Sequence, residues 1–296
     1  MTSELVSIVF VGEDIVISQS AMSVASANVF HFSDNTRGKD PLDDLTEESN
    51  SDTAIIIDNG SYECRAGYRT SKEPDLIFRN LALRQKGRNG EGDSCSVGHD
   101  IENFEAVRLQ LRSPFDRNVV TQFDAQEMVF DYIFSKLSVS SEEKVSSPVV
   151  ISEPVVNPNH CRKYMSELLF ECYNVPTVTY YTDSMASWHT HTMRTDLPSD
   201  YGIVVSIGYG ATHVIPIVNG KMDANKIRRI SVGGYHLDYF MQRLLQLKYP
   251  IHSTSITLTR AEELSRNHTH LRLDYGEGCN DWLDIPYYEK MVRIGN

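Results

Sequence analysis

The apolar run Ala54-Ile-Ile-Ile-Asp58 ends at Asn59-Gly60-Ser61, and the chain resumes over 62–68, a pattern that predicts strand, small-residue turn and strand. A further strand is expected at 75–78, followed by a Gly- and Arg-rich loop near 84–98 that reads as an exposed insertion. Helical spacing takes over at 124–137, where Asp124 and Glu127 have capping-box separation and Val129, Ile133 and Leu137 share a face. Pro148-Val-Val-Ile-Ser152 is a short buried strand. Asn157-Pro158 then offers an N-cap and a first-turn proline to a helix whose Met165, Leu168, Leu169 and Cys172 recur at core spacing. A strand at 177–181 and a helix from about 184 complete a β-α-β-α run.

After Asp200 the pattern restarts, with strands at 202–207, 212–218 and 227–231, a helix over 235–247 behind Gly233-Gly234, and another near 259–266. The tail from Gly276 reads as irregular. The restart repeats topology, not sequence. It puts Ser206-Ile-Gly-Tyr-Gly-Ala-Thr-His213 in a strand–turn–strand setting like that of Asp58-Asn-Gly-Ser61, with no acid at the second turn.

Composition bounds the function more than the fold. A chain of 296 residues that is 41% hydrophobic can bury one large core or two smaller ones. Its net charge of −12 is concentrated in residues 1–53, which hold ten acidic side chains against two basic ones and read as a flexible acidic leader. The remainder lacks the basic stripe of a phosphate-backbone binder, and Arg84-Gln-Lys-Gly-Arg88 and Lys226-Ile-Arg-Arg229 read as solvated loops, so direct DNA binding by this chain is not expected. Five cysteines without Cys-x-x-Cys spacing imply neither a disulfide framework nor a zinc site, and fit a reducing compartment. Leu5-Val-Ser-Ile-Val-Phe-Val11 is too short for a membrane span and meets Glu13 and Asp14, so a soluble intracellular protein with no membrane partner is expected.

The two turns carry the candidate chemistry. Phosphoryl transfer needs backbone amides around phosphates, carboxylates for the magnesium shell and a group that orients water. In the first turn Gly60 and Ser61 can offer amides and a hydroxyl, Asp58 can reach magnesium through water, and Arg65 can contact phosphate oxygens. An ordinary Asn-Gly hairpin has the same spacing. In the second turn Gly208 and Gly210 keep the backbone permissive, and Thr212 and His213 sit where the strand resumes. Ser206 stands where a second metal-side carboxylate is wanted, and Tyr209 adds bulk where phosphate should approach. The pairs His189-Thr-His191 and His268-Thr-His270 lack acidic or cysteine partners at a telling interval and define no metal site.

Residues 54–275 resemble the actin family. The strings Leu111-Arg-Ser-Pro-Phe-Asp-Arg-Asn-Val119, Met165-Ser-Glu-Leu-Leu-Phe-Glu-Cys-Tyr173 and Arg243-Leu-Leu-Gln-Leu-Lys-Tyr-Pro250 carry the resemblance, and they are closer to a nuclear actin-related branch than to actin itself. So is Ala27-Asn-Val-Phe-His-Phe32, which suggests Met22 as an alternative initiator to Met1. The resemblance implies an α/β, actin-like (ribonuclease H-like, Hsp70-like) ATPase fold, with a first domain over 54–192 and an incomplete second domain over 193–296. It lays the nucleotide clamp on Asp58, Gly60, Ser61 and Arg65 and on Ser206, Gly208, Gly210 and Thr212, with Asp58 touching magnesium through water.

Departures from the family pattern are Tyr62 for a glycine, Arg65 for a lysine, Ser206 and Tyr209 for acids, and Asp183 for the water-orienting glutamine. Asp183 either replaces the lost carboxylate at the metal or repels the phosphates, and no catalytic residue is expected. ATP or ADP with magnesium is then a structural ligand or absent. The resemblance further implies a non-catalytic scaffold subunit of an Ino-eighty-type chromatin-remodelling complex in the nucleus, partnered by a motor ATPase, a small subunit and, through the complex, nucleosomes. A slow ATPase of the actin, Hsp70 and sugar-kinase superfamily, or a cytoskeletal filament subunit, are the alternatives.

Overall fold

Isoleucines 55 and 57 are fully buried while Ile56 between them is 39% exposed, the period-two signature of a strand with one face on a core. That strand, β1 (Ile55–Asn59), runs antiparallel to β2 (Glu63–Tyr68), and β2 antiparallel to β3 (Leu76–Arg79). The strands β4 (Ala82–Gln85) and β5 (Ser94–Val97) form an antiparallel pair, so residues 84–85 and 94–97 of the expected 84–98 loop are strand instead, and residues 86–93 of it lie outside the described residues. The computed structural model describes residues 7–11, 14–16, 29–31, 53–85, 94–137, 140–141, 144–194, 200–269, 274 and 289–293.

Helix α1 (Phe123–Lys136) buries Val129, Phe130, Ile133 and Phe134. Gln122 precedes it with no side-chain cap, so Asp124 lies inside the first turn and the expected capping box does not form. The strand β6 (Val149–Glu153) pairs in parallel with β1. Helix α2 (Asn159–Glu167) starts after Pro158, while the expected cap residue Asn157 instead donates to Glu153 Oε2 at 3.1 Å. A π-helical turn follows over Leu168–Cys172. The wider turn carries Cys172 off the face that Met165 and Leu169 bury, which is why Cys172 is exposed despite its spacing.

The strand β7 (Val178–Thr182) pairs in parallel with β6, giving a mixed five-stranded sheet in the order β7-β6-β1-β2-β3. Its core includes Ile55, Ile57, Cys64, Leu76, Phe130, Phe134, Val149 and Ile151. Helix α3 (Asp183–Arg194) follows β7 directly. The strands β8 (Gly202–Ile207) and β9 (Thr212–Val218) form the second hairpin, and β10 (Arg228–Ile230) pairs with β9. Helices α4 (Gly234–Lys248) and α5 (Leu258–His268) come last, α5 capped by Thr257, whose Oγ1 accepts from the Arg260 amide at 3.3 Å.

The chain divides into two compact units, residues 35–235 and residues 1–34 with 236–296. The sequence reading instead placed its boundary at 192/193. Met185 and Trp188 of α3 pack with Val155, Ile215 and Ile217 in one apolar cluster, which joins β8 and β9 to the first unit. The second unit contains a four-stranded sheet of Ser7–Val11, Asp14–Val16, Glu289–Arg293 and Val29–His31, so strands occur within both the leader and the tail. Among the described residues no helix is long and apolar enough to cross a membrane.

Candidate functional site

The first turn is held from behind by a buried amide network. Asn59, at the end of β1, donates through Nδ2 to Gln126 Oε1 of α1 at 2.9 Å and accepts at Oδ1 from Asn80 Nδ2 at 2.9 Å. Asn80 Nδ2 also reaches the Gly60 carbonyl at 2.8 Å, and the Asn59 amide donates to Ser152 Oγ of β6 at 2.8 Å. Asn80 and Gln126 are fully buried and Asn59 nearly so, so the bonds among these three side chains lie away from water and are costly to lose. A Cβ on Gly60 would lie 2.5 Å from the Glu63 carbonyl oxygen, so only glycine fits there.

The side chains expected to meet a nucleotide are engaged with protein. Asp58 accepts from Ser152 Oγ at 2.9 Å and from Arg65 at 3.2 Å, and the other terminal nitrogen of Arg65 donates to Glu63 at 3.0 Å. Ser61 Oγ lies 3.2 Å from Asn118 Oδ1, in a turn where Arg117 and Asn118 take positive φ values of 46° and 70°. The same turn meets the second hairpin: a Cβ on Gly210 would lie 3.0 Å from the Asn118 nitrogen.

The second turn is equally fixed. The Gly208 amide donates to the Ala211 carbonyl at 3.0 Å, Thr212 Oγ1 donates to the Val232 carbonyl at 2.8 Å, and the amides of Gly234 and Tyr235 donate to the carbonyls of Gly208 and Tyr209 at 3.1 and 3.0 Å. Gly233 allows this approach, since a Cβ there would sit 2.4 Å from the Gly208 oxygen. Ser206 lies opposite His213 in the hairpin register. His213 is buried and its Nε2 lacks a hydrogen-bond partner, and burial, reinforced by Arg229 and opposed by Asp183, lowers its pKa.

Asp183 opens α3, where its Oδ1 accepts from the Ser184 amide at 2.6 Å and the Ser184 hydroxyl at 2.9 Å. It lines a cavity of about 480 Å³ with Asp58, Tyr181, Ser187, Thr190 and His191. Burial, helped by the Asp58 and Asp183 charges, pushes the Tyr181 phenol up to about 12. Two carboxylates facing one cavity oppose an anionic ligand. Among the described residues no group of three or more His, Cys, Asp or Glu could hold a metal ion.

The structure brings Asp58, Gly60, Ser61 and Arg65 together at one turn and Ser206, Gly208, Gly210 and Thr212 at the other. The sequence reading missed Asn59, Asn80, Asn118, Gln126 and Ser152. Gln126 alone left a signal, a polar residue three, four and seven positions before the buried Val129, Phe130 and Ile133.

A mixed sheet with crossover helices, followed by a second strand–turn–strand facing the first, defines an α/β protein of the actin fold. The actin family matches residues 49–277, and the chain belongs to that family. It is 43% identical over 254 residues to actin-related protein 5 of Drosophila melanogaster, covering 80% of this chain and 39% of that protein. It is 43% identical over 278 residues to actin-related protein 5 of Gallus gallus (91% and 45% covered) and 40% identical over 275 residues to that of Homo sapiens (90% and 45%). The chain thus spans less than half the length of these relatives.

Proposed function

We propose that this chain is the actin-fold part of a non-catalytic nuclear scaffold subunit of an Ino-eighty-type chromatin-remodelling complex. It would help couple a motor ATPase to nucleosomes, with a small partner subunit beside it and no direct DNA contact of its own. The observation that supports this reading best is the similarity to actin-related protein 5, which runs through most of the chain in animals as distant as fly and human. The non-catalytic part is supported by the second turn, where Ser206 and Tyr209 stand in place of acids, and by Asp183, whose Oδ1 is held by Ser184 and whose charge faces the cavity beside Asp58.

The test is a pull-down of the tagged chain from nuclear extract with mass spectrometry of its companions. Recovery of a motor ATPase with other remodeller subunits is the expected result. Chaperones as the sole companions would overturn the assignment for this chain.

A further inference from the structure

The family implies a nucleotide whose phosphates lie between the two turns, and the residues present do not fit one. Tyr62 of the first turn and Tyr209 of the second meet ring to ring, with centroids 4.9 Å apart at 57°. The Arg79 guanidinium carbon lies 3.6 Å from the Tyr62 centroid and 5.9 Å from that of Tyr209, and Tyr235 adds a third ring 5.9 Å from Tyr209. A phosphate group with its magnesium needs several ångströms of polar space lined by free donors. Here that space holds aromatic carbon. The donors around it are committed as well, Ser61 to Asn118, Thr212 to Val232 and Arg65 to Asp58 and Glu63.

We infer that the Tyr62–Tyr209 ring pair, covered by Arg79, joins the two turns in place of a nucleotide's phosphates, so that this chain holds its hairpins together without ATP or ADP. Both rings belong to the same compact unit, and both backbones are pinned, by the Asn59 amide network on one side and by the Gly208 and Tyr209 carbonyl bonds on the other. A tilted aromatic contact at this separation is a favourable link that a small polar residue at either position cannot make. A guanidinium over one face adds a second attraction and shields the pair from water.

The inference concerns the purified chain alone and rests on family membership, not on assembly with a remodeller. Failure of the nuclear pull-down therefore leaves it standing, and the reverse also holds. Two measurements decide it. In the first, the melting temperature of the chain is read with magnesium and ATP or ADP. A micromolar site saturated at about 1 mM would raise it by about 10 °C. The expected shift is under about 1 °C by the same relation, and a saturable rise of several degrees would overturn the inference.

In the second, hydrogen exchange is followed at amides 59–62 and 208–211 without nucleotide. Tyr62→Ala should accelerate exchange in both turns, by about tenfold or more at 208–211 if the rings couple them, while Tyr62→Phe, which keeps the ring, should leave 208–211 unchanged. Unaltered exchange at 208–211 in Tyr62→Ala would sink the proposal. If that variant does not fold, Tyr209→Ala read at 59–62 makes the same distinction in reverse.

Discussion

Asn80 is the residue whose loss should tell most about how the first turn is held. It is fully buried, and its Nδ2 serves both Asn59 Oδ1 at 2.9 Å and the Gly60 carbonyl at 2.8 Å. Asn80→Ala leaves Asn59 Oδ1 without a donor in a site water does not reach, at a cost of about 1–3 kcal/mol. Gly60 is only partly buried, so its carbonyl recovers water and that bond counts for about 1 kcal/mol. Together these predict a loss of about 2–4 kcal/mol, or about 30- to 1000-fold in the folding equilibrium.

The assay is urea unfolding in a Trp282→Phe background, so that Trp188, packed against Gly202, reports alone. With a slope of about 3 kcal/mol/M, the midpoint should fall by about 0.7–1.3 M. Gln126→Ala removes the other partner of the Asn59 amide. The double variant should therefore lose less than the sum of the two, with a coupling of about 0.5 kcal/mol or more. An Asn80→Ala loss below about 0.5 kcal/mol, the range of ordinary surface changes, would refute the network as the support of the turn.

Phe130, fully buried and ringed by Phe134 and Tyr173 at 5.9 and 6.0 Å, should cost about 3–5 kcal/mol as Phe130→Ala in the same assay. Gly233→Ala forces a Cβ toward the Gly208 and Tyr209 oxygens at 2.4 and 2.5 Å, so hydrogen exchange at the Gly234 and Tyr235 amides should accelerate. Because burial lowers the His213 pKa in the fold, the unfolded chain takes its proton first as pH falls through about 6.5. Stability from this group is intact above that pH and lost below it, by at most about 1.4 kcal/mol per unit until the folded pKa is reached. The difference in unfolding free energy between wild type and His213→Gln should therefore shrink between pH 7 and 5.5, and a constant difference would argue against it. Cys64, fully buried with its thiol pKa raised chiefly by burial, should resist a thiol reagent until the protein unfolds, while exposed Cys95 reacts at once.

The elements were legible because their periodicity is local. Alternation at Ile55 and Ile57, or helical spacing at Val129 and Ile133, follows from which face meets the core. The turn positions were legible for a similar reason, since glycines 60 and 208 mark close backbone approach within a few residues. What the sequence could not display is partnership at a distance. Asn59 finds Asn80, Gln126 and Ser152 at separations of 21, 67 and 93 residues, and no local pattern distinguishes a bonded buried amide from a solvated one. The expected caps at Asp124 and Asn157 failed for the opposite reason, since the local signal was present but α1 starts one residue before Asp124 and Asn157 is drawn to Glu153.

Magnitudes decide which substitution would weigh most against a nucleotide. The Arg65–Asp58 pair is 45% and 34% exposed, and such pairs are worth about 0–1 kcal/mol, so it would yield to a phosphate that offered better partners. Replacing an acid by Ser206 removes metal charge but leaves space for water and a cation. The ring pair is different in kind, because it fills volume and neither turn can retreat. The first is tied to the sheet through Asn59 and Ser152, and the second to the start of α4, whose Gly234 and Tyr235 amides donate to the carbonyls of Gly208 and Tyr209. Restoring an acid at Ser206 alone should therefore not create a nucleotide site, whereas removing both rings would open one even with serine in place. On the inference drawn above, the steric change, not the loss of charge, would be what keeps a nucleotide out of this hairpin pair.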